Sequence, residues 1–135
     1  IVISDYNKGF LSIEDIKKIS NVHSLTFLDT KKPLGDWSEN ITFIKINNNE
    51  LNKAEKITDK IRKKLIVTLG IDGASYNGKI YPVEITEVKD LSGAGDTFLA
   101  ALCTHYCKSK DVIASIKFAN ECATKVVQKR GVSTT

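Results

Sequence analysis

The sequence has no apolar run close to the roughly 20 residues that a membrane-spanning helix needs, so we expect no contact with a membrane. It also has no Pro-rich segment, no internal repeat and no linker. Its 135 residues are 41% hydrophobic and 27% charged. This is ordinary for a soluble globular protein, and it excludes collagen and low-complexity disorder. The length predicts one domain that buries about two-thirds of its unfolded surface.

Cysteines are few and lack the spacing of a disulfide framework or a zinc site. There are three, Cys103, Cys107 and Cys122, and none belongs to a CxxC pair. An odd number without such a pair argues against both kinds of site. All three fall in segments with a helical pattern, which favours buried thiols. We therefore predict buried cysteines in a protein of the reducing cytoplasm.

The excess of positive charge is small, with 20 Lys plus Arg against 16 Asp plus Glu. The basic residues are spread along the chain, and the aromatic residues, 7% of the total, are not interleaved with them. A nucleic-acid surface gathers basic residues on one face. The pattern indicates solvated helix faces and no nucleic-acid partner.

The first residues resemble the middle of a strand. The chain opens with the run IVISD at residues 1–5, without a Met. We therefore expect it to be the C-terminal part of a longer protein, so that the absence of a targeting signal from this sequence proves little.

Short apolar runs alternate with amphipathic segments along the first half. The almost continuously apolar runs are residues 1–4, 25–28, 41–46 and 65–69. Such runs are typical of strands buried on both faces of a parallel sheet. Residues 12–20 predict a helix capped by Ser12, and residues 50–64 predict a second helix. The buried stripe of this second helix consists of Leu51, Ala54, Ile57 and Ile61. This order predicts an α/β layered fold with crossover connections.

The second half begins with a β-rich stretch and ends in helices. Residues 75–88 contain the turn signal Asn77-Gly78, which predicts an antiparallel hairpin at the edge of the sheet. Residues 95–108 and 110–129 predict two helices, the second ended by Gly131. One face of this second helix carries Val112, Ile116, Ala119, Ala123 and Val126.

The sharpest chemical signal lies where the first of these two helices starts. Gly93, Ala94 and Gly95 let a ligand approach the backbone, and the amides of a helix start bind an anion such as phosphate. Asp96 would repel a phosphate there, unless it takes a proton from a hydroxyl that attacks this phosphate. The alternative is a glycine-rich helix entry in which the helix dipole favours Asp96.

A second signal follows the third apolar run. Asn47 and Glu50 stand three residues apart, at a strand end where ligands gather in α/β sheets. Their side chains can hold the waters of a magnesium ion and a phosphate oxygen. The alternative is that Asn47 caps a helix with Glu50 in its first turn.

Two further strand ends carry candidate residues. Thr68, Gly70 and Gly73 follow the fourth run, where the backbone either passes beside a nucleotide or simply turns. Lys31 follows the second run and can face a phosphate as a mobile point charge. Since the carboxyl ends of parallel strands meet at one edge, these residues and the two signals above together describe a phosphoryl-transfer site.

These motifs resemble the C-terminal half of the ribokinase-like, or phosphofructokinase-B, carbohydrate kinases. Residues 90–96 (DLSGAGD) are similar to the signature DxxGAGD of that family, and residues 47–50 (NNNE) to its NxxE motif. Residues 68–73 resemble its nucleotide-binding turn, and Asn120 part of its last helix. The resemblance covers essentially the whole chain. It implies a mostly parallel central sheet flanked by helices, with the N-terminal half and the lid of the family missing.

The resemblance also implies roles for these residues. Asp96 would be the catalytic base, and the amides of Gly93, Ala94 and Gly95 the anion hole for the transferred phosphate. Glu50 and Asn47 would organise Mg²⁺ and phosphate.

The cofactor implied by the resemblance is ATP. Its site would be lined by Thr68, Gly70, Gly73 and Asn120. Asp90 and Ser92 would offer oxygens to a monovalent cation such as K⁺, together with carbonyls around Gly131.

The acceptor implied by the resemblance is a sugar or a sugar phosphate. Residues 4–9 (SDYNKG) and 29–32 (DTKK) most resemble the heptose-7-phosphate kinase branch, with its runs SDYGKG and DPKG. Asn7 replaces a glycine of the first run, and DTKK departs from the second. A ribose, fructose or nucleoside kinase of the same fold is one alternative, and a non-catalytic nucleotide-binding regulator is another. The missing lid implies a homodimer of the whole protein, and we expect this chain alone to turn over no sugar.

Overall fold

The computed structural model describes residues 1–84, 88 and 90–128. The chain divides into two compact units. The first contains Ile1–Leu69 and Ser75–Lys79, and the second contains Gly70–Ala74 and Ile80–Thr135. That residues 1–135 form part of one domain stays a prediction.

Six strands form one mixed sheet within the described residues, in the sequential order β1 to β6. They are β1 (Val2–Asp5), β2 (Phe27–Thr30), β3 (Phe43–Asn47), β4 (Leu65–Thr68), β5 (Ala74–Tyr76) and β6 (Lys79–Tyr81). The first four pair in parallel, which confirms the prediction from the apolar runs. The first three begin one or two residues later than predicted and end in polar residues, because the ladder continues to the pairs Asp5–Thr30 and Asn47–Thr68.

Helices occur in both units. They are α1 (Ile13–Ser20), α2 (Asn48–Asn52), α3 (Asp59–Arg62), α4 (Ala94–Ser109) and α5 (Val112–Val127). The predicted start of α1 is confirmed. The Ser12 side chain accepts a hydrogen bond from the Asp15 amide, and the Asp15 carboxylate accepts one from the Ser12 amide at 2.9 Å. Two of the amides that a helix start leaves unpaired are thereby satisfied.

The single helix predicted over residues 50–64 is wrong. The chain leaves the helical path after α2, because the amides of Glu55 and Lys56 donate to the carbonyl of Leu34 at 2.9 and 3.1 Å. Thr58 then caps α3 by accepting a hydrogen bond from the Ile61 amide. A long-range backbone contact thus overrides the local helical pattern.

The apolar stripe of that segment nevertheless packs as predicted. Ile61 is fully buried, and the other three members of the stripe are partly buried against the same core. The core of the first unit is aliphatic and includes Ile16, Leu28, Ile44, Ile46 and Ile66, each of them fully buried. Burying one such side chain contributes roughly 1.5–3 kcal/mol to folding.

The predicted hairpin is present, with β6 as the last strand of the sheet. Asn77 and Gly78 connect β5 to β6 and have φ angles of 50° and 73°. Positive φ at both central residues defines the turn whose twist matches that of an antiparallel hairpin.

Helices α4 and α5 are joined by a tight turn in the second unit. Lys110 closes α4 in the left-handed conformation, with its amide donating to the Tyr106 carbonyl at 2.9 Å. Asp111 caps α5 by accepting a hydrogen bond from the Ala114 amide at 3.0 Å. Both helices match their predicted ranges to within two residues. Gly131, predicted to end α5, lies outside the described residues.

The cysteine prediction is correct for two of the three thiols. Cys103 and Cys122 are buried, whereas Cys107 is exposed. Burial raises the pKa of the Cys103 thiol to about 12. None of the described helices is long and apolar enough to cross a membrane.

Candidate functional site

The carboxyl ends of β3 and β4 bring two predicted site residues together in the first unit. Asn47 and Thr68 are direct partners in the parallel ladder. The Thr68 hydroxyl donates to the Ile46 carbonyl at 3.3 Å. The ladder thus places an amide and a hydroxyl side by side at the edge where ligands bind in α/β sheets.

Asn47 and Glu50 form a capping box at the start of α2. Asn47 Oδ1 accepts a hydrogen bond from the Glu50 amide at 2.9 Å, and Glu50 Oε2 accepts one from the Asn47 amide at 2.8 Å. The structure therefore shows the helix-cap role that the sequence left open. The other carboxylate oxygen of Glu50 takes no part in the box.

The capping box leaves one Glu50 oxygen for a magnesium ion. Among the described residues, no three His, Cys, Asp or Glu side chains converge on a possible ion site. Mg²⁺ usually keeps several waters and needs only one or two carboxylates together with substrate phosphates. The remaining Glu50 oxygen is suited to such an ion, held through water.

Lys31 lies exposed beyond the end of β2. Its amide donates to the Asp5 carbonyl at 3.0 Å, and its Nζ atom lies 4.9 Å from the centroid of the Tyr6 ring. A cation–π contact at an exposed site contributes about 0.5–1 kcal/mol. The ammonium group is thus oriented at the carboxyl edge of the sheet, and its predicted role toward phosphate stays a prediction.

Lys32, the neighbour of Lys31, is buried in an ion pair that sequence reasoning missed. Its Nζ atom lies 3.1 Å from Asp5 Oδ2 and donates to Asn7 Oδ1 at 2.8 Å. The Thr30 hydroxyl donates to the same Asp5 oxygen at 2.9 Å. The signal was Asp5 at the end of an apolar run, since a charge is buried there only with a partner.

A second buried ion pair joins β2 to β3. Lys45 Nζ lies 2.7 Å from Asp29 Oδ2, and the two residues are partners in the ladder. Lys45 is only 6% exposed. Sequence reasoning missed this pair too, although a lysine between Ile44 and Ile46 requires a partner of opposite charge.

The start of α4 carries the predicted base and anion hole in the second unit. Gly93 precedes the helix in the left-handed conformation, with φ 78°. The first helical hydrogen bond runs from the Thr97 amide to the Gly93 carbonyl at 2.9 Å. The Gly95 amide comes before it and has no acceptor within the helix. The Ala94 amide, which also belongs to the predicted anion hole, donates to the Leu91 carbonyl at 3.4 Å. Asp96 is exposed in this first turn, where the helix dipole favours its carboxylate.

The loop before α4 is held by Asp90. Asp90 Oδ1 accepts a hydrogen bond from the Ser92 amide at 2.8 Å, and the Asp90 amide donates to the Val127 carbonyl at 3.2 Å. These contacts fix the loop against the end of α5. The role of Asp90 and Ser92 toward a monovalent cation stays a prediction, since the turn around Gly131 lies outside the described residues.

Gly73 and Asn120, both predicted to line the nucleotide site, meet at the carbonyl of Tyr81. Asn120 is 5% exposed, and its Nδ2 atom donates to Tyr81 O at 2.8 Å. A Cβ atom on Gly73 would lie 2.2 Å from the same oxygen, and the φ of Gly73 is +92°. Gly70 starts the short turn by accepting a hydrogen bond from the Gly73 amide at 3.2 Å. Thr68 belongs to the first unit.

A pocket of about 670 Å³ lies beside this carbonyl. Its walls include Tyr81, Pro82, Val83, Lys117, Asn120 and Thr124. The volume is in the range of small-molecule sites. Of these residues only Asn120 was singled out from the sequence. The signal for Lys117 and Thr124 was helical spacing, because residues three or four positions from Asn120 share its face of α5.

The family model of the pfkB family carbohydrate kinases matches residues 13–135. The chain is 33% identical over 159 residues to the Bifunctional protein HldE of Campylobacter curvus, and 30% identical over 155 residues to that of Helicobacter pylori. These matches cover 99% and 97% of the chain and 34% of each relative. The chain therefore spans about one third of the length of the curated relatives it matches.

Solved structures of kinases share the fold. The ribokinase of Thermotoga maritima matches with a TM-score of 0.75 and 17% identity, over 97% of this chain and 51% of that chain. The ribokinase of Arabidopsis thaliana, complexed with ribose and ATP, matches with a TM-score of 0.66 and 24% identity, over 89% and 46%. Such identities show a ribokinase-like fold and no more. The match over residues 13–135 adds the family, and the chain belongs to the pfkB family of carbohydrate kinases.

Proposed function

We propose that this chain forms the nucleotide-binding half of an ATP-dependent kinase that phosphorylates a hydroxyl of a sugar or a sugar phosphate. The start of α4 carries the proposal. There an exposed carboxylate, Asp96, stands in the same helical turn as backbone amides that have no acceptor within the helix. In a chain of this family, that combination suits proton abstraction beside a phosphate.

Asp96 acts as the general base in this proposal. Its carboxylate takes the proton of the acceptor hydroxyl while the hydroxyl oxygen forms a bond to the γ-phosphorus. The bond from this phosphorus to the bridging oxygen breaks in line, and ADP leaves. The amides of residues 93–95 donate hydrogen bonds to the negative charge on the transferred group.

The remaining site residues bind and orient the nucleotide. Glu50 would hold a magnesium ion through water, with Asn47 fixing the Glu50 carboxylate through the capping box. Magnesium, when bound, neutralises charge on the phosphates. The pocket beside Asn120 would receive the nucleoside part of ATP, and Lys31 would face a phosphate.

We propose heptose 7-phosphate as the acceptor. Support comes from the runs SDYNKG and DTKK at residues 4–9 and 29–32, which resemble the heptose-7-phosphate kinase branch. The curated relatives named Bifunctional protein HldE also match nearly the whole chain, at 30–33% identity. The departures at residues 7, 30 and 32 leave ribose, fructose and nucleosides as alternatives within the same chemistry.

The test is ADP release by the complete gene product. The acceptors are heptose 7-phosphate, ribose, fructose, fructose 6-phosphate and inosine, each assayed with Asp96→Asn beside the wild type. We expect turnover on heptose 7-phosphate, and a loss of about 10²- to 10⁴-fold in the variant, which is the usual size of acid–base catalysis. ATP binding should remain.

The matched control is Asp36→Asn. Asp36 forms an exposed ion pair with Lys56, and such pairs contribute little. Its activity should equal that of the wild type. A loss below tenfold in Asp96→Asn would remove Asp96 from the role of base. ATP binding without turnover on any acceptor would favour a regulator.

A further inference from the structure

Two residues that replace glycines of the runs SDYGKG and DPKG contact each other in this chain. They are Asn7, which follows β1, and Lys32, which follows β2. Lys32 Nζ donates to Asn7 Oδ1 at 2.8 Å across 25 positions of sequence. Two glycines could not make this contact, so it is a feature of this chain rather than of the pattern that its runs resemble.

The contact is part of a buried network. Lys32 and Asp5 are 9% and 6% exposed and form an ion pair of 3.1 Å. Asp5 also accepts a hydrogen bond from the Asn7 amide at 3.1 Å, and Asn7 has a φ of 54°. Both the side chain and the amide of Asn7 are therefore held, in a backbone conformation that Asn tolerates better than most residues.

Tyr6 lies between Asp5 and Asn7 in the sequence, and its ring faces Lys31. Lys31 Nζ lies 4.9 Å from the ring centroid, and the Lys31 amide donates to the Asp5 carbonyl at 3.0 Å. The two adjacent lysines thus point in opposite directions. Lys32 turns inward and fixes the loop, whereas Lys31 turns outward and rests on the ring that this loop carries.

We propose that Asn7 and Lys32 form a positioning pair that orients the Lys31 ammonium toward a phosphate group of the substrates. The inference rests on the proposed kinase function. Because Lys32 already neutralises Asp5, the positive charge of Lys31 remains available at the carboxyl edge of the sheet. The phosphate belongs either to the sugar phosphate or to ATP, and separate KM values distinguish these two sources.

The first test uses Asn7→Gly in the complete gene product. Glycine accepts a φ of 54° without strain, so the fold is kept while Lys32 loses its hydrogen bond to the Asn7 side chain and keeps its ion pair with Asp5. We expect the KM of one substrate to rise about twofold to fivefold, with kcat unchanged. This factor corresponds to the free energy of a cation–π contact at an exposed site. Asn7→Asp, which restores an acceptor for Lys32, should return KM to the wild-type value.

Three further variants separate positioning from general effects. Asn77→Gly makes the same change at a φ of 50° in the exposed β5–β6 turn, and it should leave both KM values unchanged. In Lys31→Met the same KM should rise, and the double variant Asn7→Gly/Lys31→Met should be no worse than Lys31→Met alone. The proposal would be overturned if the double variant raised KM by the product of the two single effects, or if Lys31→Met left KM unchanged. Either result would leave the kinase function intact.

The positioning pair can also be tested without an activity assay. In proton NMR of the full chain, the Lys31 ε-methylene signal should be shifted upfield by the Tyr6 ring, and Asn7→Gly should remove that shift. An unchanged shift would overturn the positioning pair whether or not the protein is a kinase. If the wild type turns over no acceptor but the shift responds as expected, the proposed function fails and the coupling between Asn7 and Lys31 stands.

Discussion

Asn120 Nδ2 donates a hydrogen bond of 2.8 Å to the backbone carbonyl of Tyr81. The same oxygen occupies the space that any side chain on Gly73 would need, at 2.2 Å from its Cβ position. Gly73, the end of β6 and helix α5 thus meet at one carbonyl in the second unit. Tyr81 and Asn120 also belong to the wall of the pocket.

Replacing Asn120 by Leu should destabilise the chain. Leucine has a similar volume but no donor, so the Tyr81 carbonyl loses its partner in a buried site. Such a loss costs about 1–3 kcal/mol, which urea denaturation of the full chain measures. Asn52→Leu is the control, because Asn52 is exposed on α2. Equal effects in the two variants would mean that the Asn120 hydrogen bond contributes nothing.

Gly73→Ala should be more destabilising than Gly70→Ala. Both glycines have positive φ, +92° and +64°, where a β-carbon is strained by about 1–2 kcal/mol. Only the Cβ at Gly73 would also meet backbone, since nothing lies within 4 Å of the one at Gly70. We expect Gly73→Ala to cost at least about 1 kcal/mol more, in line with the usual cost of overpacking. Thermal unfolding of the two variants side by side tests the difference, and a smaller loss for Gly73→Ala would contradict the described geometry.

Much of this fold could be predicted, because β2, β3 and β4 are buried on both faces and coincide with apolar runs. Helix entries at Ser12 and Asn47 were also visible, since capping depends on residues next to each other in sequence. The break between α2 and α3 was not visible. It depends on the carbonyl of Leu34, some twenty residues away, which accepts two amides of the linking segment.

The candidate site likewise combines local features, which could be predicted, with long-range contacts, which could not. The motif around Asp96 is local and was found, whereas the meeting of Gly73 with Asn120 needed the folded chain. Which of the two adjacent lysines is buried could not be predicted either, because β2 ends at Thr30 and both Lys31 and Lys32 lie beyond the strand.

Lys45→Met should destabilise the first unit strongly. The variant keeps the apolar stem of Lys45 but removes the ammonium group that pairs with the Asp29 carboxylate. Breaking a buried pair costs about 3–5 kcal/mol. We expect about 3 kcal/mol, the lower end of that range, because the Asp29 side chain keeps 15% exposure. The measurement is the free energy of unfolding in urea.

Lys60→Met is the matched control for that experiment. Lys60 pairs with Glu39 on the surface, where its side chain is 75% exposed. Exposed pairs contribute about 0–1 kcal/mol, so the control should change little. The double variant Asp29→Leu/Lys45→Met should recover much of the loss, since replacing both buried charges by apolar groups is often neutral. Equal stabilities for Lys45→Met and Lys60→Met would show that the β2–β3 pair is not buried in solution.

Alkylation should distinguish the thiols of α4. Cys107 is exposed, whereas Cys103 is buried and burial raises its pKa to about 12. Only the thiolate reacts, and a raised pKa lowers its fraction. At pH 8 that fraction is about 10⁻⁴ for a pKa near 12, against roughly a quarter for an ordinary thiol. Iodoacetamide should therefore modify the folded chain first at Cys107, and mass spectrometry of the peptides identifies the site.

The pH dependence of the slow reaction has a defined sign. Below a pKa of about 12, each unit of pH raises the thiolate fraction of Cys103 tenfold, so its alkylation should still accelerate between pH 9 and pH 10, where an ordinary thiol has levelled off. Cys107→Ser should abolish the fast phase and leave this slow one. Cys103→Ser should leave the fast phase intact. Fast modification of Cys103 at pH 8 in the folded chain would contradict its burial.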